Sequence, residues 1–464
     1  MGTRLTPLAA AALAVWTLAA CSGSASPKTT PPATAPNSPT STGSASPTGG
    51  TDWPVYHGTP DHHGVSTTMP AANGTPKRTQ SLRLDGAVYA SPLVVRGLTI
   101  VATENDSVYA FDRSYRQVWK RTLGSPSPQS ERGCGNIDPL GITGTPVYDA
   151  GSDRVYVVAE FGGNVRHELF ALDRATGSVA WSKNVDLPGA TARDMQQRGA
   201  LAIAGGKVWV PFGGQFGDCG DYKGRVVGVP LDGGSGVVAY TVPTPREGGI
   251  WHPDGPAVNA AGHLLVVVGN GAAGPGDQYD YSDSATEIDT SGKRVDFFAP
   301  TRWAQDNVDD RDLGIMGAAL VGSKWVVVGG KSGEVYVLRA GHLGGLGGQV
   351  DVQDICLPFG GAAVDGDVVY LPCTDGVRAV RVDDSGKLHV LWHADPRVTG
   401  SPVIGGGRVW AVAPTGVLWA LDPATGNSVG HADIGETSRF ATPAIYGADL
   451  IVPTLAGIAV VQTS

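Results

Sequence analysis

The side chains best suited to chemistry are a mixed set of aromatic, acidic and basic residues. They are Tyr89, Arg198, Trp251, His252, Asp254, Arg311, Asp312 and Arg439. The three arginines could hold a carboxylate or phosphate through paired N–H donors, with Trp251 and Tyr89 stacking on a ring. They could instead pair with Asp254, Asp310 and Asp312 and hold neighbouring elements together. The sequence leaves both interpretations open.

A separate acidic stretch offers oxygen ligands that suit Ca²⁺. It contains Asp277, Asp280 and Asp283, with Asn270 nearby. Because the spacing does not follow the EF-hand rule, a solvated acidic loop is the alternative.

Motifs of the common hydrolases and nucleotide-binding proteins are missing from the sequence, which has no GxSxG, HExxH or Walker motif. Three histidines, His57, His62 and His63, are close in sequence. We expect them at the surface rather than in a metal site.

These residues must be positioned by a turn-rich, repeated architecture, since the 464 residues include 67 Gly and 33 Pro. The clearest repeat, residues 144–185, contains VYVVAE, LFALDRATG and SVAWSKNV, and predicts four short strands. Similar units run from Ser91 to Trp119 and from Ser401 to Gly426. Weaker copies start near residues 200, 255, 317, 361 and 442. Eight units without helical patterns between them predict an all-β, eight-bladed β-propeller of four-stranded blades.

Closure of the ring is expected to join the two ends of the chain. The last unit, residues 440–461, offers about three strands, and the N-terminal segment Arg78–Leu84 can supply the missing outer strand. Seven blades are the alternative, because the unit near Gly255 is stretched and irregular.

The motifs ALDRATGSVAW, ALDPATG and DWPVYHGTPDHHGVS resemble those of the pyrroloquinoline-quinone (PQQ) repeat propellers, over nearly all of residues 53–464. The resemblance implies a hairpin turn shaped by Asp173, Thr176 and Gly177, and a Trp, here Trp181, packed between blades. It also implies one of two roles. One is a quinoprotein dehydrogenase with PQQ and calcium over the propeller centre, and the other is a non-catalytic lipoprotein similar to the outer-membrane assembly propeller. Many of the dehydrogenases carry adjacent cysteines, which this sequence lacks.

The N-terminal region predicts an export leader followed by a tether. Residues 1–20 combine Arg4 with an apolar run too short to span a membrane, as in a signal peptide. The tetrad Leu-Ala-Ala-Cys resembles the bacterial lipobox, which implies that Cys21 carries diacylglyceryl and palmitate lipid; an ordinary secretory leader is the alternative. Residues 21–50, nearly all Ser, Thr, Pro, Ala and Gly, predict a lipid-anchored disordered linker, with the propeller over residues 51–464.

Four further cysteines, an even number in an exported chain, favour disulfides with three possible connectivities. Strand counting places Cys356 and Cys373 across a hairpin. It places Cys134 and Cys219 in two connections on one face. We therefore predict the pairs Cys134–Cys219 and Cys356–Cys373, since no CxxC or nearby His pair supports a metal site.

One face of the ring is expected to carry the long connections. These are residues 160–168, 193–198, 215–223, 247–254, 269–284 and 306–312. Residues just ahead of the innermost strands, including Met316 and Phe359 with the set named first, should surround the mouth of the central channel.

Charge and motifs together restrict the function. A net charge of −9 disfavours nucleic acid as a partner. We expect a monomeric, lipid-anchored propeller on the extracytoplasmic face of a bacterial membrane, which binds a protein or cell-envelope ligand on its long-loop face without cofactor or metal. The alternative is a PQQ-dependent quinoprotein oxidoreductase of the alcohol or sugar dehydrogenase type, with PQQ and Ca²⁺.

Overall fold

The chain forms eight β-sheets, arranged as the blades of a β-propeller, in a computed structural model that describes residues 50–463. Within each blade, strands that follow one another in sequence pair antiparallel, so the sheet is a meander. The prediction of eight blades is confirmed, and the alternative of seven is wrong.

Each blade is described from the channel outward. The strands of blades 1 and 2 are Leu93–Val95, Leu98–Ala102, Ser107–Phe111 and Gln117–Thr122, then Val147–Asp149, Arg154–Phe161, Arg166–Asp173 and Val179–Asn184. Those of blades 3 and 4 are Ala202–Ala204, Lys207–Gly214, Arg225–Pro230 and Val238–Thr241, then Ala257–Val258, Leu264–Val268, Ser284–Ile288 and Arg294–Ala299.

The second half of the ring follows the same order. Blades 5 and 6 contain Ala319–Val321, Trp325–Gly329, Glu334–Arg339 and Asp351–Asp354, then Ala363–Asp365, Val368–Leu371, Arg378–Val382 and Leu388–His393. Blade 7 contains Val403–Gly405, Arg408–Ala413, Val417–Leu421 and Ser428–Asp433, and blade 8 contains Ala444–Tyr446, Asp449–Thr454, Gly457–Thr463 and Pro76–Arg83.

Several short strands and helical turns are added to the eight blades. Met195–Gln196 pairs with the second strand of blade 3, Gly345–Leu346 with the outer strand of blade 4, and Val65–Ser66 with the innermost strand of blade 7. One α-helix, Trp303–Val308, and the 3₁₀ turns Tyr56–Gly58, Gln129–Glu131, Ala192–Asp194 and Leu313–Ile315 lie in connections of the described part. No helix within residues 50–463 has the length and apolar character needed to cross a membrane.

Burial follows strand position, because inner strands face neighbours on both sides. The second strand of blade 2, Arg154–Phe161, is almost wholly buried, whereas the outer strand Val179–Asn184 has exposed and half-buried residues. Each hydrophobic cluster combines side chains of neighbouring blades, and the one that includes Trp410 and Tyr109 spans blades 7, 8 and 1. The core is therefore a ring of interblade layers.

Tryptophans of the outer strands pack on the turns of the next blade. Trp119 of blade 1 donates its indole N–H to the Arg174 carbonyl of blade 2, over 3.0 Å. A Cβ at Gly177 would lie 2.5 Å from the Trp119 ring. Trp181 likewise lies against Gly233 of blade 3. The repeated Thr-Gly and Trp positions thus connect blade to blade.

The outer strand of blade 8 comes from the residues ahead of blade 1. Pro76–Arg83 pairs antiparallel with Gly457–Thr463, so Pro76 lies opposite Thr463 and Arg83 opposite Gly457. The observed strand begins two residues before the expected segment, which started at Arg78.

Residues 52–72, called here the channel segment, run through the inside of the ring. Backbone hydrogen bonds join this segment to the innermost strands of five blades. The bonded pairs are Trp53–Val94, Pro54–Tyr148, Pro60–Val258, His63–Val364 and Gly64–Ile404. Near its two ends, Asp52 accepts from the Arg96 N–H and Ala72 donates to the Gly406 carbonyl, both in short turns between first and second strands. The channel segment therefore fills the channel at its short-turn end.

The prediction of surface histidines in this segment is wrong for two of them. His57 is fully buried and His62 is 3% exposed, while His63 is half-buried. Burial lowers the pKa of His57 to about 3 and that of His62 to about 4. Both imidazoles are therefore neutral at physiological pH.

The four cysteines form the two predicted pairs. Cys134 and Cys219 have their Cα atoms 6.1 Å apart, and Cys356 and Cys373 have theirs 5.8 Å apart. The predictions that concern residues 1–49, including lipidation of Cys21, lie outside the described residues.

Candidate functional site

The long connections of blades 3 to 5 lie on one face of the ring, opposite the short turns, because each links strand ends that point the same way. Four of them, residues 215–223, 242–254, 269–283 and 300–316, form what we call the ledge. Two lie between the middle strands of a blade, and two lead into the next blade.

Hydrogen bonds connect all four parts of the ledge. Glu247 donates its backbone N–H to the Tyr222 carbonyl over 2.7 Å, and Gly248 donates to the Asn270 carbonyl over 2.7 Å. The Asn307 side chain accepts from the Gly271 N–H and donates to the Ala273 carbonyl, both over 2.7 Å. Because the bonds run from connection to connection, the ledge is one cross-linked surface rather than four independent loops.

The ledge displays two apolar side chains. Phe216 is 68% exposed and Val308 is 63% exposed, and these are the most exposed large apolar side chains within residues 50–463. The loop of Phe216 is tied by the Cys134–Cys219 disulfide. It is also held by Arg246, which donates to the Asp218 and Gly220 carbonyls over 2.7 and 2.9 Å.

Beside the ledge, the mouth of the channel brings together two arginines and three aromatic rings. The Arg198 guanidinium carbon lies 5.7 Å from the Trp251 ring centre and 4.2 Å from that of Phe440. The Arg439 guanidinium carbon lies 4.3 Å from the Phe359 ring centre and 5.8 Å from the Phe440 ring centre. At these distances the ring faces attract the cations. We call these five residues the mouth cluster.

The carboxylates predicted as alternative partners are bonded elsewhere. Asp254 accepts from His252 Nδ1 over 2.9 Å, and His252 Nε2 in turn accepts from the Val267 N–H. Asp312 accepts from the Trp251 indole over 3.1 Å, and Asp310 pairs with Lys331 at 2.6 Å.

The surroundings of these carboxylates affect their pKa values and leave the two mouth arginines without an acidic partner among residues 50–463. Burial raises the pKa of Asp312 to about 6, although neighbouring Lys331 opposes the rise. Within the described residues, neither Arg198 nor Arg439 forms an ion pair with any carboxylate. The interpretation that these two arginines pair with Asp254, Asp310 and Asp312 is therefore wrong.

The remaining predicted residues divide between the mouth and its surroundings. Tyr89 lines a small pocket with Arg198 and Phe440, and burial raises its pKa. Arg311 lies outside the mouth cluster and pairs with Asp309 at 3.6 Å. Met316 is fully buried among the side chains between blades 5 and 6.

The carboxylates of the acidic stretch accept hydrogen bonds from backbone N–H groups of the ledge. Asp277 accepts from the Gly274 N–H over 2.9 Å, and Asp280 accepts from the Ser282 backbone over 3.1 Å. Asp283 accepts from the Leu313 N–H over 2.9 Å. In the part of the chain that the structure describes, no three His, Cys, Asp or Glu side chains converge to hold a metal. The candidate Ca²⁺ ligands Asp277, Asp280 and Asp283 therefore do not converge on a common position in the described structure.

The mouth does not fit PQQ held with calcium. The pocket between Tyr56, Tyr89, Arg198 and Phe440 has a free volume of about 10 Å³, which is about what one water molecule requires. Tyr56, from the channel segment, lines this pocket from inside the ring. This pocket is therefore too small for the cofactor, and no acidic ligand set for calcium converges among residues 50–463.

Sequence reasoning missed several residues of this face. Phe440 follows the predicted Arg439 directly, so an aromatic beside a candidate arginine was a usable signal. Phe216 lies three residues before Cys219, within a loop that was predicted to be long. Nothing local in the sequence indicates Tyr56, because only the closed ring brings it under the mouth.

Comparison with known proteins places this geometry in a family. Residues 140–279 and 344–462 match the model of a PQQ-repeat family described as outer membrane protein assembly factor BamB. No curated protein matches the chain.

Solved structures with the same fold include two dehydrogenases and a BamB protein. The quinohemoprotein alcohol dehydrogenase from Comamonas testosteroni is 17% identical with a TM-score of 0.66, over 89% of this chain and 80% of that chain. A europium-containing methanol dehydrogenase is 14% identical with a TM-score of 0.68, over 90% and 99%. BamB from Moraxella catarrhalis is 18% identical with a TM-score of 0.55, over 84% and 98%. At such identities these likenesses concern the fold alone.

Proposed function

Since the chain belongs to the PQQ-repeat family described as outer membrane protein assembly factor BamB, we propose that it is a non-catalytic binding propeller. Its partner is a protein of the cell envelope, and the partner docks on the ledge. The ring serves as a rigid scaffold, and the short-turn end is filled by the channel segment, which leaves the long-loop face for binding.

The observation that carries the proposal is the position of the two most exposed large apolar side chains. Phe216 and Val308 both lie on the ledge. Exposed apolar anchors on a preorganised surface lose less conformational freedom on binding, so a larger share of the free energy of their burial appears as affinity. The disulfide and the Arg246 bonds provide this preorganisation around Phe216.

The location of the protein is a further part of the proposal. An extracytoplasmic site agrees with the two disulfides, which persist in oxidising compartments. The leader over residues 1–20, lipidation of Cys21 and the linker over residues 21–50 rest on sequence alone. Replacement of Cys21 by Ala tests the anchor, because the protein should then leave the membrane fraction and appear in the soluble one.

The quinoprotein alternative receives no support from the mouth. PQQ does not fit the pocket beneath the arginines, and no acidic set for calcium is present in the described ranges. The dehydrogenase neighbours share the fold at 17% identity or less.

The experiment uses the full mature chain, immobilised, and the detergent-solubilised envelope of the source cells. The wild type should retain a specific protein, and the Phe216→Glu and Val308→Glu variants should lose it, since a charge on the contact must be desolvated. The controls are Val118→Glu and Val429→Glu on outer strands, where the wild-type side chains are 50% and 43% exposed. Equal loss in the controls, or retention by the ledge variants, would reject the ledge as the docking surface.

A further inference from the structure

The mouth cluster contains two guanidinium groups that form no ion pair with a carboxylate of residues 50–463. Arg198 is half-buried between the Trp251 and Phe440 rings, and Arg439 lies against Phe359. Burial lowers the pKa of Arg198 to about 10, and the Arg439 charge adds to the decrease. Both guanidinium groups nevertheless remain charged at neutral pH.

Their N–H donors are also available. A guanidinium packed on an aromatic ring contacts it through its π face, which leaves the donors at its edge free for bidentate bonding. No hydrogen bond from either side chain to another described residue is present. Asp254, Asp312 and Asp310 are bonded to His252, Trp251 and Lys331. Glu104, whose charge acts on Arg198, forms no ion pair with it and accepts from the Gly141 N–H over 2.8 Å.

The two arginines also share one ring. Arg198 and Arg439 both lie within 6 Å of the Phe440 ring centre, at 4.2 and 5.8 Å. Contact with this ring restricts both side chains, half-buried Arg198 more than exposed Arg439, and brings both guanidinium groups to the same part of the mouth. Preorganised cations of this kind bind anions with a small entropic cost.

We propose that Arg198 and Arg439 bind one anionic ligand, carrying carboxylate or phosphate groups, that approaches the mouth from the long-loop face. The inference rests on the proposed function in assigning this face to binding. The anionic group is supplied either by an acidic side chain of the docked protein or by a free small molecule, and the test separates these sources.

The test measures binding to the full mature chain by calorimetry at constant ionic strength. The probes are citrate, inorganic phosphate and a hexaglutamate peptide, with chloride as the background anion. We expect saturable binding by wild type and about tenfold or greater weakening in Arg198→Gln and in Arg439→Gln, as for a lost charge-assisted bond. The control is Arg116→Gln. Arg116 is an exposed arginine in a short turn of blade 1, where it forms an ion pair with Asp112 at 2.7 Å.

Each outcome has one meaning. Tighter binding of the peptide than of citrate and phosphate assigns the anion to a protein partner, and the reverse order assigns it to a free molecule. No binding above the chloride background, or equal weakening in Arg116→Gln, overturns the inference. Arg198→Lys keeps the positive charge and is the control for misfolding of the Gln variant. It should bind the anion more weakly than wild type because the planar donor pair is lost.

The two proposals fail separately. If the arginine variants still retain the envelope protein and no anion binds, only the anion site is rejected. If the anion binds but the ledge variants capture the partner as well as wild type does, only the docking surface is rejected.

Discussion

Gly177 of blade 2 lies directly under the indole of Trp119 of blade 1, where a Cβ would come within 2.5 Å of a ring atom. Gly177 also has a φ of +68°, a region that disfavours side chains. The turn and the interblade contact therefore require glycine for two separate reasons.

This relationship predicts the effect of Gly177→Ala. The left-handed backbone costs about 1–2 kcal/mol for a non-glycine residue, and overpacking against the ring adds about 1–3 kcal/mol. The matched control is Gly163→Ala, where φ is +77° but nothing lies within 4 Å of the added carbon. Urea unfolding should show a clearly larger loss for Gly177→Ala, and equal losses would mean that the Trp119 contact carries no weight.

The disulfides are predicted to contribute unequally to stability. Cys134–Cys219 closes 85 residues and Cys356–Cys373 closes 17, so chain entropy alone gives about 4–5 and about 3 kcal/mol. Paired Cys→Ser replacement should therefore destabilise more at Cys134 and Cys219 in equilibrium unfolding. The same variant should also weaken partner capture because it frees the Phe216 loop. The prediction fails if the Cys356 and Cys373 variant loses more stability and more capture.

Buried His62 predicts acid sensitivity. Burial lowers its pKa to about 4, against about 6.5 in the unfolded chain. The unfolded state therefore binds more protons between these values, and the stability present above pH 6.5 is lost as the pH falls. At pH 5 the loss from this one group is about 2 kcal/mol.

The variant that tests this is His62→Asn, because Asn tolerates the φ of +60° at this position and neither His62 ring nitrogen has a hydrogen-bond partner to lose. Urea unfolding at pH 7.5 and pH 5 should show a smaller drop in the variant by about 2 kcal/mol. The exposed His342→Asn should keep the wild-type drop. An unchanged drop in His62→Asn would show that His62 is accessible to protons in the folded state.

We predict that PQQ and Ca²⁺ together do not raise the Tm of the protein. A ligand at a hundred times its Kd should stabilise the protein by about 2.7 kcal/mol. We expect no increase in Tm that requires PQQ and Ca²⁺ together, because the pocket has room for about one water molecule. A shift that appears with both and disappears when EDTA removes the calcium would revive the quinoprotein alternative.

Local patterns predicted most of the fold. The Thr176-Gly177 turn and the Trp181 strand recur along the chain, so the period alone indicates four-stranded blades, and strand direction then pairs the cysteines. The channel segment was not predictable in this way, because polar residues such as His57 are buried by innermost strands up to about 340 residues away. The same distance hides the mouth cluster, since Arg198, Phe359 and Phe440 meet only in the closed ring.

Docking on the ledge is tested most directly by photocrosslinking in living source cells. A benzophenone amino acid is placed at Phe216, at Val308 and, as controls, at Val118 and Val429. All four side chains are exposed. Phe216 and Val308 lie on the long-loop face, whereas the two control positions lie on outer strands. If the partner docks on the ledge, both ledge positions should give adducts with one and the same envelope protein, and the controls should give none. Adducts with that protein from the outer-strand positions alone, or none from the ledge, would contradict it.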